Sequence, residues 1–218
     1  MWAEIAEEIA ACRLCPRLVA HREAVAAKPP PRFAGWAYWA KGVPGFGDPQ
    51  ARLWIVGLAP AAHGANRTGR MFTGDSSGDW LYRALYETGW ANQPQSTHRG
   101  DGLTLRGVYI SAVVRCAPPA NRPLPSEIAA CRRFLEAEWA LLRPSVQVIV
   151  PLGQIAYVAV ARLLGVKAPR FGHGISWTAQ GVRVLASYHP SQQNTRTGRL
   201  HWEQWIAVFR QARVWIGP

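Results

Sequence analysis

The chain is poor in lysine, poor in acid and short of long apolar runs. Only three lysines occur (Lys28, Lys41 and Lys167) beside 22 arginines. None of the three falls in the motif loops at the strand ends described below, which argues against a catalytic amine that forms a Schiff base. No apolar stretch approaches the roughly 18–20 residues a membrane span requires. The N-terminus, MWAEIAEEIAACRLC, is acidic and amphipathic, whereas a secretory signal would be basic and then apolar. A soluble, cytoplasmic protein is expected. Neither GK[ST] nor G-x-G-x-x-G is present, so the chain has no Walker loop and no dinucleotide fingerprint. Internal repeats, low-complexity tracts and domain linkers are also missing. Its 218 residues suffice for one sizeable core, and a single domain over 1–218 is expected.

The charge is one-sided: 25 Lys plus Arg against 13 Asp plus Glu, a formal +12. Such a balance favours a polyanionic partner, because basic groups near phosphates release condensed counterions. Arginine suits bidentate phosphate contacts, although codon usage or thermal adaptation would leave the same bias on an inert surface.

Four short apolar runs predict strands: Leu53–Gly57, Val108–Val114, Val146–Leu152 and Val182–Ala186. Helical patterning lies between and around them. Asp79–Trp90 places Trp80, Leu81, Ala84, Leu85 and Thr88 on one face. Glu127–Leu142 follows a plausible cap at Ser126 and ends just before Pro144; Gln154–Leu164, His201–Val214 and an N-terminal helix near 3–12 complete the set. Alternating strands and helices predict a three-layer α/β/α fold around a central, four-stranded, mainly parallel sheet. Residues 28–49, rich in Pro, Gly and aromatics, predict an ordered loop wrapping the core.

Open parallel sheets bind ligands beyond the carboxyl ends of their strands. Three of the four predicted strands run into unusual loops there: residues 57–78, 115–127 and 187–200. The first is glycine-rich, which lets backbone approach a ligand and exposes N–H donors. It also carries Phe72, either a stacking platform or a loop anchor, and Asp75, whose commonest role at a helix start is capping. The last holds His189 before Pro190. A neutral histidine there can donate to a developing anion or simply be structural. Ser191, Gln192, Asn194, Arg196 and Arg199 follow in a loop suited to phosphates or a groove, or to a solvated tip.

Four cysteines, Cys12, Cys15, Cys116 and Cys131, read more readily as a metal site than as disulfides in an intracellular chain. Zinc and a [4Fe–4S] cluster both accept four thiolates. One tight C-x-x-C with two scattered partners favours the cluster over zinc's usual pair of knuckles. Unpaired core thiols are the other reading.

With these loops in view, the sequence resembles the uracil-DNA glycosylase superfamily and is especially similar to the family 5 (type B) enzymes of prokaryotes. The resemblance runs from Cys12 through VPGFGDP (43–49), GLAPAAHGANRTGRMFTGDSSG (57–78) and CAPPANRPLPSE (116–127) to YHPSQQNTRTGRL (188–200). It implies that the four cysteines ligate a structural [4Fe–4S] cluster. Phe72 would stack on a flipped base, His189 would hydrogen-bond the departing base, and Asp75 would support the attacking water. Ala59, Ala61, His63 and Ala112 are expected to join Phe72 around the base. Asn66, Arg67, Asn121, Arg122, Ser191, Gln192, Asn194 and Arg196 are expected along the DNA. The related family 4 enzymes have Glu where this chain has Leu58 and Asn where it has Ala112, and both departures remove polar groups that would select uracil. The implied activity is monofunctional excision of uracil and other deaminated bases by a monomer. A metal-stabilised, non-enzymatic nucleic-acid-binding module is the runner-up, and an iron–sulfur electron carrier the third class.

Overall fold

The computed structural model describes residues 1–217. Its central strands are β2 (Leu53–Gly57), β3 (Val108–Ala112), β4 (Val148–Pro151) and β6 (Val182–Leu185). All four match predicted strands, and they pair in parallel in the order β3-β2-β4-β6. Every position of β2 and β3 is buried, as expected for strands covered on both faces.

Among the described residues the sheet has six strands rather than the four expected. β1 (Phe46–Gly47) pairs antiparallel with β3, and β5 (Ser176–Ala179) antiparallel with β6, each closing one edge. Two residues are too short to show a period, and β5 is half exposed, so neither leaves an apolar signature. The turn joining β5 to β6 does have one. Gln180 (φ 50°) and Gly181 (φ 81°) both lie in the left-handed region, the requirement of a two-residue hairpin.

Alternation along the strands makes two cores. Leu53, Ile55, Val108, Ile110, Val148 and Val150 pack with α4 (Ser76–Glu87) and α8 (Trp202–Ile216). Trp54, Val56, Tyr109, Ile149, Val182 and Val184 pack on the other face with α5 (Pro125–Leu142) and α6 (Gln154–Leu163). Helices therefore cover both faces, giving the three predicted layers. α8 is fastened to α4 by Trp205 Nε1, which donates to the Trp80 carbonyl at 3.0 Å.

α5 begins earlier than expected, with Pro125 at its first position and Leu124, not Ser126, as the cap. Proline suits that position because its missing N–H would have had no partner, and the Glu127 carboxylate reaches back to the Leu124 N–H at 2.7 Å. The N-terminal helix α1 spans Trp2–Ala11, and an unpredicted helix, α2, spans Pro16–Ala27. The buried stripe of α2 consists of Leu18, Val19 and Arg22, so its arginine masks the apolar period. Residues 28–49 wrap the core as expected. The Trp39 and Ala40 N–H groups donate to the Arg67 and Asn66 carbonyls, and that of Val43 to the Arg115 carbonyl. No helix among the described residues is long and apolar enough to cross a membrane.

Candidate active site and cysteine pocket

From β2 the chain passes to β3 on one side, then to β4 on the other. The strand order therefore reverses at β2, and a ligand crevice in such a sheet is expected at this switch point, beyond Gly57. Phe72 lies over this point: a β-carbon on Gly57 would come within 2.7 Å of its ring. The Phe72 backbone adopts φ 53°, uncommon for a bulky residue and typical of strain held at functional sites. The surroundings enforce it. Buried Thr73 and Tyr82 both donate to the Met71 carbonyl, and the Phe72 carbonyl packs so tightly against Gly78 that no β-carbon fits there.

His189 arrives from beyond β6. Its ring lies 5.8 Å from that of Phe72 with 28° between the planes, so the first and last motif loops meet. Burial pushes the imidazole down to about 4, which makes it neutral at physiological pH. Among the described residues its ring nitrogens take no hydrogen bond, so they remain available to a ligand. Asn194 Nδ2 holds the His189 carbonyl at 2.8 Å, and Ser191 caps the short helix α7 (Gln192–Arg196).

Asp75 caps α4, accepting from the Gly78 N–H at 3.0 Å. Its carboxylate fills the space that a side chain on Gly64 would need, which explains that glycine. Burial raises the Asp75 carboxyl, while hydrogen bonds from the Gly78 and Ser77 amides pull it down in part. Capping occupies one carboxylate oxygen, Oδ1, while Oδ2 lies against Gly64. In the same loop, among the described residues, the N–H groups of Ala59, Ala61, Ala62 and His63 have no protein acceptor. They are donors open to solvent or ligand. His63 itself is held by Tyr38 at 2.9 Å and lowered by burial and by Arg32 and Arg67. Ala59 and Ala61 are half-buried, and Ala112 is buried opposite Gly57 at the end of β3.

The structure divides the residues expected along DNA. Asn121, Arg122, Gln192 and Arg196 are exposed. Asn66 and Arg67 are buried instead. Asn66 donates to the Arg22 and Ala62 carbonyls. Arg67 donates to the His63 and Gly74 carbonyls, and its guanidinium lies 4.2 Å from each of the Phe33 and Trp36 rings. Both lie in the short helix α3 (Ala65–Thr68) and brace the glycine-rich loop from within, work that two polar residues among glycines give no hint of.

The four cysteines line one enclosed pocket with Leu18, Val19 and Phe134. Three of the sulfurs accept hydrogen bonds: Cys116 from Arg22 at 2.9 Å, Cys131 from the Arg115 N–H at 3.3 Å, and Cys12 from Arg133 at 3.7 Å. Arg17 clasps Glu127 through two 2.8 Å bonds beside the pocket, joining α2 to α5. No three His, Cys, Asp or Glu side chains among the described residues are grouped to hold one metal ion.

The Uracil DNA glycosylase superfamily model matches residues 44–211, which includes Phe72, Asp75 and His189. The chain belongs to the uracil-DNA glycosylase superfamily. A Type-5 uracil-DNA glycosylase of Mycobacterium leprae is 52% identical over 218 residues, covering 98% of this chain and 95% of that protein. Its counterpart in Thermus thermophilus is also 52% identical, with 97% and 96% covered. The one in Pyrobaculum aerophilum is 48% identical, with 94% and 89% covered.

Two supports of these loops leave no signal in the sequence. Buried Arg70 bonds Thr73, Ser96 and Asp101, fixing the chain on either side of Phe72. Burial would raise the Asp101 carboxyl, but Arg70 and the Thr97 and Leu103 amides hold it well below the carboxylate range. The second is His173, whose Nδ1 accepts from the Tyr188 N–H and whose Nε2 faces the Gln204 carbonyl at 3.2 Å. No spacing rule links Arg70 to Asp101 or His173 to Tyr188; only the fold brings them together.

Proposed function

We propose that this chain is a monofunctional DNA glycosylase that hydrolyses the N-glycosidic bond of uracil and other deaminated bases in DNA. One observation carries the reading: beyond the strand ends the Phe72 ring, three residues before Asp75 in the first motif loop, meets the His189 ring from the last. A base inside a duplex is out of reach, so the nucleotide must rotate into the crevice, at a cost of a few kcal/mol. Phe72 offers it a stacking face. As the C–N bond breaks, its electron pair leaves with the base while a water oxygen bonds to C1′ and sheds one proton to solvent, and the anionic base takes up one proton from solvent. In this reading neutral His189 and the free amides of 59–63 stabilise the anionic base, and Asp75 orients the water and offsets positive charge on the sugar. Leu58 and Ala112 add no polar group that would restrict the pocket to uracil. The site is complete within one chain, which supports a monomer; the cytoplasm is where such an enzyme would meet DNA.

The cysteines are read as ligands of a structural [4Fe–4S] cluster. Their side chains fit one: four thiols face a common apolar pocket, and three receive N–H donors of the kind that stabilise metal-bound thiolates. A single zinc ion would need all four sulfurs about 2.3 Å away, a tighter grouping than is found. Bound there, the cluster would supply a cross-link between the α1–α2 segment and the loop after β3.

The test uses end-labelled duplexes carrying one uracil or one hypoxanthine, with half of each sample heated in alkali. Breakage only after alkali, for both bases, is the expected result. Unbroken strands with tight, salt-dependent binding would instead establish the binding-module reading.

A further inference from the structure

We infer that Arg22 is the counter-charge of the cysteine pocket and the residue that couples it to the base-site loop. This rests on the cluster reading above. The Arg22 side chain is 1% exposed. Among the described residues no carboxylate oxygen lies within 4.0 Å of it, and its Nε has no acceptor. A buried, unpaired cation is costly, and a fold that retains one supplies a compensating anion. The partners on hand are Cys116 Sγ, 2.9 Å from Nη1, and the Cys12 carbonyl, 3.2 Å from Nη2. Both belong to the proposed ligand residues. Metal-bound thiolates carry the negative charge that this guanidinium lacks, and its fork touches two ligand segments more than 100 residues apart in sequence.

The same residue faces the active site through its backbone. Its carbonyl accepts from Asn66 Nδ2 at 3.2 Å, and that amide also reaches the Ala62 carbonyl at 3.3 Å. Asn66 is fully buried at the root of the 59–63 loop, the loop whose free amides are proposed to receive the base. A continuous path therefore runs from Cys116 through Arg22 and Asn66 to Ala62. Arg22 thus holds both the cysteine pocket, through its side chain, and the base-site loop, through its carbonyl and Asn66, as a positioning residue and not a catalytic one.

The experiment follows two readouts on the protein purified with its metal: loss of visible absorbance in a chelator, and amide hydrogen exchange of residues 61–68. Arg22→Met is expected to bleach at least tenfold faster than wild type and to raise exchange in that loop. Arg22→Lys should restore part of both, since it keeps charge without the fork. Asn66→Ala should bleach like wild type yet still raise loop exchange, because it cuts the path beyond Arg22. Should Arg22→Met prove too unstable to isolate, Arg22→Lys against Asn66→Ala carries the comparison. Wild-type bleaching and loop protection in both Arg22 variants would overturn the proposal while leaving the cluster reading intact. A wild-type protein without iron would overturn the cluster reading and this proposal with it.

Discussion

His189 is the residue whose chemistry depends most on its surroundings. An ordinary histidine titrates near 6.5, whereas burial holds this one near 4. Above that value the folded protein keeps a neutral ring. The unfolded chain takes up the proton as pH falls through the ordinary value, so this position destabilises the fold progressively between pH 6.5 and 4. Thermal melts across that window should fall less steeply for His189→Asn than for wild type. The catalytic consequence is separate. His189 contributes no limb to the rate profile between about pH 5 and 8, and any acid limb belongs to Asp75, whose carboxyl is raised by burial and works only when charged. An acid limb that disappears in His189→Asn would show this assignment to be wrong.

Elements place these residues by close packing of backbone. Gly57 ends β2 directly beneath Phe72, and its missing side chain is what lets the ring settle there. Gly57→Ala should cost about 1–3 kcal/mol of stability by overpacking and lower base excision by roughly 10²-fold, the scale of a 1 Å misplacement. Excision within threefold of wild type would show that the ring position does not matter. The four central strands, α4, α5, α6 and α8 were legible because burial on two faces or one leaves a plain apolar period. α2 was not, because Arg22 occupies its buried stripe, although Pro16 was a usable start signal. β5 was not either, although Gln180-Gly181 marks its turn. In the site, Phe72, Asp75 and His189 announced themselves by lying in unusual loops that follow strands. Arg70, Asp101 and His173 did not, since their roles exist only once distant loops touch.

At the scale of the whole molecule, a net charge of +12 sets how the protein finds its substrate. Arg122 and Arg196 stay exposed while Arg67 is buried, so the first two are available for phosphates and the third is not. Arg196→Ala should reduce the slope of log affinity against log salt by about one and weaken binding alike for all sequences. An unchanged slope would remove Arg196 from the DNA path. The central claim is that loops from separate strands form one catalytic site, and it is tested by single-turnover uracil release with enzyme in excess over a uracil-containing duplex. Asp75→Asn and His189→Asn, one from each loop, should each slow release by ~10²–10³ while leaving duplex affinity intact. Release within a few-fold of wild type by either variant would contradict a shared active site.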